Sequence, residues 1–151
     1  MGNAVNLGVA HESEYELADA LVAGSGLPLD DLDQCRASQF VLRDGTRIVA
    51  TAALEIRGDD AILRSVAVDP MRRGERLGEQ IVAYAIEQGR RAQLQALYLL
   101  TETAEGFFPR FGFKREPRDA APAAIQASVE YCSVCGADAV AMVLPLSEEG
   151  M

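Results

Sequence analysis

Apolar and polar positions alternate along much of the first half of the chain, which predicts several strands around one early helix. The strands are expected at residues 4–9, 39–43, 47–56 and 61–68. Asp44-Gly45-Thr46 separates two of these runs and is a strong hairpin signal. Apolar residues at helical spacing predict a helix from His11 to Ala23. The last three strands therefore form a predicted antiparallel meander.

The pattern changes after Gly78. Apolar residues recur at helical spacing over 79–93, and the fully apolar run over 96–100 is typical of a strand buried on both faces. Short helices are predicted at 103–110 and 122–128, and a last strand at 139–146. This order predicts an α/β (α+β) fold in a single domain over 1–151. Its central sheet is mixed and mostly antiparallel, with flanking helices.

The charge of the chain is distributed unevenly. The formal net charge is −9, which disfavours a nucleic-acid partner because phosphate backbones attract positive charge. All fourteen basic residues lie within residues 34–118, where they exceed the acidic residues by three. One interpretation is an ordinary solvated surface; the other is that the middle of the chain binds an anion.

The cysteines and the N-terminal residues of the chain indicate its cellular compartment and whether it binds a metal. Three cysteines and no export-type start predict reduced thiols in a cytoplasmic protein. No apolar stretch approaches about 18 residues, so no membrane span is expected. Cys132 and Cys135 have the spacing of half a zinc site, but no second pair exists and His11 is the only histidine. No metal is expected.

The segment from Leu63 to Gly78 carries the clearest chemical signal. A strand ends at an Asp-Pro pair, a loop follows with three arginines and two glycines, and a helix begins at once. The N-terminus of a helix offers unpaired N–H groups and a partial positive charge, which bind phosphate well. The loop has neither of the familiar glycine-rich phosphate signatures. An arginine-rich loop with helix-capping glycines remains the alternative.

The same segment resembles the GNAT N-acetyltransferase superfamily. The resemblance rests on Asp-Pro-x-x-Arg-Gly-x-x-x-Gly at 69–78, on the buried strand, and on Phe-Phe-x-x-Phe-Gly-Phe at 107–113. It implies a GNAT fold and direct acetyl transfer from acetyl-CoA to an amine. Arg76 stands where the family usually has glycine. The residues that the resemblance implies for acetyl-CoA are Val66, Ala67 and Val68 on the pantetheine arm, and Arg73, Gly74, Glu75, Arg76, Leu77 and Gly78 on the pyrophosphate.

A narrower resemblance points to an acceptor. The segments 63–68, 97–108 and 122–135 are similar to the arsenic-resistance N-acetyltransferase branch. The run Leu-Leu-Thr-x-Thr-Ala-x-x-Phe-Phe at 99–108 also resembles the acetyltransferase domain of N-acetylglutamate synthases. Relatives in that branch acetylate glutamate analogues such as arsinothricin and phosphinothricin. The resemblance therefore implies that the acceptor is the primary amine of a small molecule, an acidic amino acid or an amino-acid-like toxin.

Several side chains are candidates for the chemistry. Glu102 and Glu55, at strand ends, are candidate general bases, although each is equally interpreted as a solvated carboxylate. The family's usual general acid, a tyrosine, aligns with Phe108. Arg64, inside an apolar strand, is the preferred clamp for a substrate carboxylate, with a buried salt bridge as the alternative. Strand alternation puts Arg64 and Val66 on one face. Further candidate substrate ligands are Thr101 and Thr103.

Two other functions remain open at this stage. Phe108 and Arg76 depart from the family pattern, which is also compatible with a non-catalytic acyl-CoA-binding module. The acidic ends of the chain could attract the basic substrates of a protein or peptide N-acetyltransferase. Analogy with the family adds a homodimer formed through the last strand.

Overall fold

The computed structural model describes residues 5–102, 104, 106–131 and 139–146. Seven strands form one sheet. They are β1 (Val5–Val9), β2 (Gln39–Asp44), β3 (Arg47–Arg57), β4 (Asp60–Val68), β5 (Ala96–Thr101), β6 (Lys114–Arg115) and β7 (Val140–Pro145). The α-helices are α1 (Tyr15–Gly24), α2 (Leu77–Arg91) and α3 (Ala123–Gln126). Short 3-10 helices span Glu12–Glu14, Leu32–Ser38, Pro70–Arg72, Phe108–Phe111 and Arg118–Ala120.

The strands follow the order β1-β2-β3-β4-β5-β7-β6 in the sheet. Neighbours are antiparallel except β4 and β5, which are parallel and joined through α2. This confirms the predicted mixed sheet with flanking helices. The antiparallel meander has four strands rather than three, because β1 pairs with β2 along its whole length.

Two apolar layers cover the sheet. The inner side chains of α2, among them Ile81 and Ala85, pack in one cluster with Leu54 and Leu63 of the central strands. On the other face, Val22 of α1 packs with the small residues of β3 and β4 and with the segment over Leu32–Ser38. Adjacent residues of a strand point to opposite faces, so the sheet forms the middle of a three-layer sandwich.

A bulge in β4 changes which face each side chain joins. Ser65 has φ +60°, and the register between β3 and β4 shifts opposite Thr51 and Ala53. A bulge adds one residue to a strand, so the alternation reverses beyond it. Leu63 and Val66 accordingly pack in the same cluster. The prediction that Arg64 and Val66 share a face is therefore wrong.

Strands β4 and β5 separate just before the bulge. The two strands pair only over Asp60–Ile62 and Ala96–Tyr98, although both continue for several residues. Their free edges form the walls of a wedge-shaped opening in the middle of the sheet. A parallel pair that splits in this way leaves backbone N–H and C=O groups that must find partners elsewhere.

The remaining elements differ from expectation in detail. Helix α2 begins at Leu77, two residues before the predicted start, and the predicted helix over 103–110 is a 3-10 turn over Phe108–Phe111. The two-residue strand β6 carries no periodic signal and was not expected. Among the described residues, no helix combines the length and apolar character needed to cross a membrane.

Candidate functional site

A cavity of about 860 Å³ lies where β4 and β5 separate. It continues over the N-terminal end of α2 on one side and reaches the loop after α1 on the other. The residues that line it are 25–28, 63–68, 72–74, 76–79, 99–102, 104, 107, 108, 110 and Glu130. Eight of the nine residues predicted for acetyl-CoA are among them; Glu75 is the exception.

One end of the cavity is a positively charged loop that leads into α2. Gly74 has φ +89°, a conformation that side chains rarely adopt, and Arg76 at φ +62° immediately precedes the helix. The first turn of α2 receives no capping hydrogen bond from the side chain of its N-cap residue, Arg76. Its N–H groups are therefore available to an anion, and the helix dipole adds to their attraction.

The arginines of this loop differ in how tightly they are held. Arg72 donates to Glu75 and Asp44, each at 2.9 Å, and these hydrogen bonds raise the pKa of Arg72. The hydrogen bond from Arg72 lowers the pKa of Glu75. The Glu75 carboxylate is therefore occupied by Arg72, and it does not line the cavity. Arg73 is exposed and lines the cavity, and the Arg76 side chain is 82% exposed.

The free edge of β4 forms the floor of the cavity. On its other side, Ala67 and Val68 pair with Thr51 and Ala50 of β3. Because β5 has separated by this point, no strand of the described residues pairs with the edge of β4 that faces the cavity. An extended ligand can lie along it and complete the ladder with its own amide groups.

Arg64 lies at the opposite end, and its side chain is completely buried. It donates to Glu55 at 3.0 Å, to the carbonyl oxygen of Asp30 at 2.6 Å and to the Ser65 hydroxyl at 3.2 Å. Its Nη2 also lies 3.4 Å from the carboxylate of Glu130. The interpretation of Arg64 as part of a buried salt bridge fits this arrangement.

The two predicted bases are placed differently. Glu55 does not line the cavity, and its oxygens accept from Arg64 and Arg57, both at 3.0 Å. A carboxylate held by two guanidinium groups outside the cavity lining is not positioned to take a proton from an acceptor. Glu102, just past β5, is exposed and lines the cavity.

Of the two threonines predicted to bind substrate, one belongs to the described residues. Thr101 lines the cavity, and its hydroxyl oxygen accepts from the Ala104 N–H at 2.9 Å. Thr103 lies outside the described residues, as do Cys132 and Cys135. Within the described ranges no three metal-ligating side chains come together.

An aromatic cluster closes the cavity beside β5. Phe107 packs edge-on against Phe108 and Phe111, and Phe108 against Phe113, with ring centroids 5.1–5.7 Å apart. Phe108 is 7% exposed and lines the cavity. At the position where the family resemblance expects a tyrosine, the structure thus has a packed phenyl ring.

Sequence reasoning gave no role to Glu130, which the structure places in the cavity lining. Glu130 is 8% exposed, and its backbone N–H donates to the Ser128 hydroxyl at 3.1 Å. The available signal was a carboxylate between Val129 and Tyr131, since acidic residues are seldom buried without a partner.

Comparisons with known proteins identify the family of the chain and its fold. The family described as acetyltransferase (GNAT) domain matches residues 36–115. A search of curated proteins found no match.

Three solved structures illustrate the similarity of fold. N-acetylglutamate synthase from Neisseria gonorrhoeae, complexed with coenzyme A and N-acetyl-glutamate, is 18% identical with a TM-score of 0.81, over 98% of this chain and 36% of the synthase. Rv2747 from Mycobacterium tuberculosis, in complex with CoA and NLQ, is 23% identical with a TM-score of 0.79, over 94% and 99% of the two chains. The ribosomal-protein-S18-alanine N-acetyltransferase from Escherichia coli is 18% identical with a TM-score of 0.73, over 97% of each chain. The chain thus spans about a third of the synthase.

Proposed function

The chain belongs to the GNAT acetyltransferase family, whose cosubstrate is acetyl-CoA, and from that premise we propose that it acetylates the primary amine of a small acidic amino acid or a close analogue. The observation that carries the proposal is the cavity between β4 and β5. It joins a positively charged helix N-terminus to a buried set of polar side chains. One end suits the phosphates of the donor, and the other suits a small polar acceptor.

The residues of the cavity fit acetyl-CoA. Backbone groups of Val66, Ala67 and Val68 would bond the pantetheine arm along the free edge of β4. The pyrophosphate would lie on the loop and the first turn of α2, held by Arg73, Gly74, Arg76, Leu77 and Gly78. Glu75 is left out of this set, because it serves to hold Arg72. When bound, acetyl-CoA supplies a thioester carbonyl that an amine can attack.

The protein contributes position and polarity to the transfer. A backbone N–H at the bulge beside Val66 can donate to the carbonyl oxygen as negative charge develops there. The buried ring of Phe108 gives that side of the cavity an apolar wall. Holding donor and acceptor in contact removes much of the entropic barrier of a reaction between two molecules.

The acidic acceptor rests on two supports. The fold is similar to that of N-acetylglutamate synthase, and the sequence resembles the arsenic-resistance branch, which adds phosphinothricin and arsinothricin as analogues. Arg64 and Thr101 both line the cavity and are the proposed ligands of the acceptor. An acceptor carboxylate would have to compete for Arg64 on its cavity side, where the partner is Glu130 at 3.4 Å.

The test is thiol release from acetyl-CoA over a panel of amines. The panel contains glutamate, phosphinothricin, glutamine, lysine and a peptide with N-terminal alanine. Release with glutamate or phosphinothricin above the others supports the proposal. Release with the peptide alone indicates a peptide acetyltransferase, and binding of acetyl-CoA without release to any amine indicates a binding module.

Donor binding is measured separately by thermal shift with acetyl-CoA. Arg73→Ala is expected to weaken binding, because Arg73 lines the phosphate end of the cavity. Arg90→Ala is the matched control, since Arg90 is an exposed arginine near the other end of α2. No shift with the unmodified protein would contradict acetyl-CoA as cosubstrate.

A further inference from the structure

We propose that Glu130 is the carboxylate that receives the ammonium group of the acceptor and removes its proton. This assignment rests on the proposed acetyl transfer and names the residue that prepares the nucleophile. An amine must lose its proton before its lone pair can attack a thioester, and a carboxylate beside the reacting atoms can take that proton.

Position separates Glu130 from the other carboxylates of the cavity. Among the described residues, the acidic side chains that line it are Glu79, Glu102 and Glu130. Glu79 lies in the first turn of α2, at the phosphate end, and accepts from Arg110 at 2.6 Å. Glu102 is exposed to solvent, whereas Glu130 is buried.

Glu130 is connected to the bulge through one side chain. Its carboxylate lies 3.4 Å from Nη2 of Arg64, and Nε of Arg64 donates to the hydroxyl of the next residue, Ser65. Val66, the expected donor to the thioester carbonyl, follows directly. Glu130 is thus linked through Arg64 and Ser65 to the backbone that precedes Val66, although 64 positions separate it from Val66 in sequence.

Arg64 is a positioning residue in this arrangement. Glu55 and the carbonyl oxygen of Asp30 fix its guanidinium from behind, at 3.0 and 2.6 Å. The contact with Glu130 is the longest that Arg64 makes to any of these partners. The buried guanidinium of Arg64 therefore contacts two carboxylates, those of Glu55 and Glu130. The ammonium group of an acceptor would bring a second positive charge to Glu130, the carboxylate that lines the cavity.

Among the described residues, three elements contribute charged and titratable groups near Glu130. Arg64 belongs to β4, Glu55 to β3, and Cys35 to the 3-10 helix over Leu32–Ser38. Burial raises the pKa of the Cys35 thiol to about 11, so this group stays neutral at neutral pH. Asp31 also acts on the Cys35 thiol, and Arg57 lies behind Glu55.

The proton balance of the step is simple. Glu130 takes one proton from the ammonium group, and the freed lone pair forms the C–N bond as the C–S bond breaks. The nitrogen then loses a second proton, which the departing thiolate takes up. Glu130 returns its own proton to solvent, so each turnover releases one proton, one thiol and one amide.

The first test compares Glu130→Gln with the unmodified enzyme. We expect kcat/KM for the amine at neutral pH to fall by about a hundredfold or more, while the affinity for CoA is unchanged. The loss should shrink by about tenfold per pH unit as pH rises, because the free amine then needs no base. Glu87→Gln, an exposed carboxylate of α2 paired with Arg91, is the matched control.

Two further measurements keep the assignment falsifiable. Glu130→Asp keeps a carboxylate and should retain the pH profile of the unmodified enzyme at a lower rate. Affinity for the amines is also measured with CoA in place of acetyl-CoA, so that it is read without turnover. Glu130→Gln should weaken the affinity for the amines. The melting temperature of the variant and its affinity for CoA show whether it is folded.

The outcomes separate the two proposals. Transfer that is lost to the same extent at every pH, or amine affinity that is unchanged in Glu130→Gln, overturns the assignment of Glu130. A greater loss in Glu102→Gln than in Glu130→Gln overturns it as well. If the unmodified protein acetylates no amine but binds amines through Glu130, the proposed function fails and the binding role of Glu130 stands.

Discussion

The guanidinium of Arg64 donates to the carboxylate of Glu55 at 3.0 Å, and no part of the Arg64 side chain reaches solvent. Removing one partner of a buried ion pair leaves the other charge uncompensated in a medium that solvates it poorly. We therefore expect Arg64→Ala to lower the free energy of unfolding by about 3–5 kcal/mol, measured by urea denaturation.

Two variants sharpen this prediction. Arg91→Ala removes an exposed partner of Glu87 and should change the free energy of unfolding by less than about 1 kcal/mol. Arg64→Lys keeps the charge but loses the planar fork, so it should recover only part of the stability. A stable Arg64→Ala protein with normal turnover would contradict both the structural role and the use of Arg64 for an acceptor carboxylate.

Alkaline pH is expected to destabilise the protein through Cys35. Burial raises the pKa of the buried thiol from 9.0 to about 11, so the unfolded chain loses this proton at a lower pH than the native protein does. The contribution to stability is complete below pH 9.0 and is lost as pH rises to about 11. Between these values the free energy of unfolding should fall by about 1.4 kcal/mol per pH unit.

Cys35→Ala isolates that contribution. Burial also raises the pKa of Tyr131, from 10.0 to about 12, so the tyrosine adds a second loss at higher pH. Urea denaturation between pH 9.0 and 10.0 therefore reports mainly on the thiol. A slope in this interval that persists in Cys35→Ala would rule out the buried thiol as its source.

Arg76 is expected to trade stability for donor binding. Its φ of +62° is a left-handed conformation that costs a side chain about 1–2 kcal/mol, and glycine adopts it freely. We expect Arg76→Gly to raise the free energy of unfolding by about 1 kcal/mol. The same change should weaken acetyl-CoA binding by about two- to fivefold at low salt, because an exposed cation is lost.

Gln93→Gly is the matched control for Arg76. Gln93 has φ +63°, is exposed, and follows the C-terminal end of α2, outside the cavity lining. It should gain similar stability with no change in the affinity for acetyl-CoA. Equal affinities in all three proteins, by isothermal titration calorimetry, would exclude Arg76 from phosphate binding.

Secondary structure and loops could be predicted where all the residues that determine them lie in one short segment of the chain. The hairpin of β2 and β3 follows from alternation around Asp44-Gly45-Thr46. The loop that leads into α2 could be singled out because its arginines, its glycines and the helix start lie within ten residues. The bulge in β4 could not be predicted, because Ser65 has no special preference for the φ of +60° that it adopts.

The acceptor end of the cavity could not be assembled from sequence for a different reason. Its parts come from the loop after α1, from β4 and from the segment that holds Glu130, which are distant along the chain. Only the folded sheet brings Arg64 near Glu55 and Glu130. Arg64 could be recognised as needing a partner, but the partners themselves carry no periodic signal.

A tyrosine at position 108 is expected to assist the departure of the leaving thiolate. Phe108 lines the cavity with its ring packed against Phe107 and Phe113, and a phenyl ring has no proton to donate. A well-positioned general acid raises a reaction rate by about a hundredfold or more. The hydroxyl of the new tyrosine would enter a pocket that is packed around a phenyl ring. We therefore expect Phe108→Tyr to raise kcat by about tenfold or less. Phe111→Tyr, in the same 3-10 helix but outside the cavity lining, should leave kcat unchanged. Thiol release at saturating acetyl-CoA measures both variants, and an unchanged kcat in Phe108→Tyr would mean that the thiolate departs without help from this position.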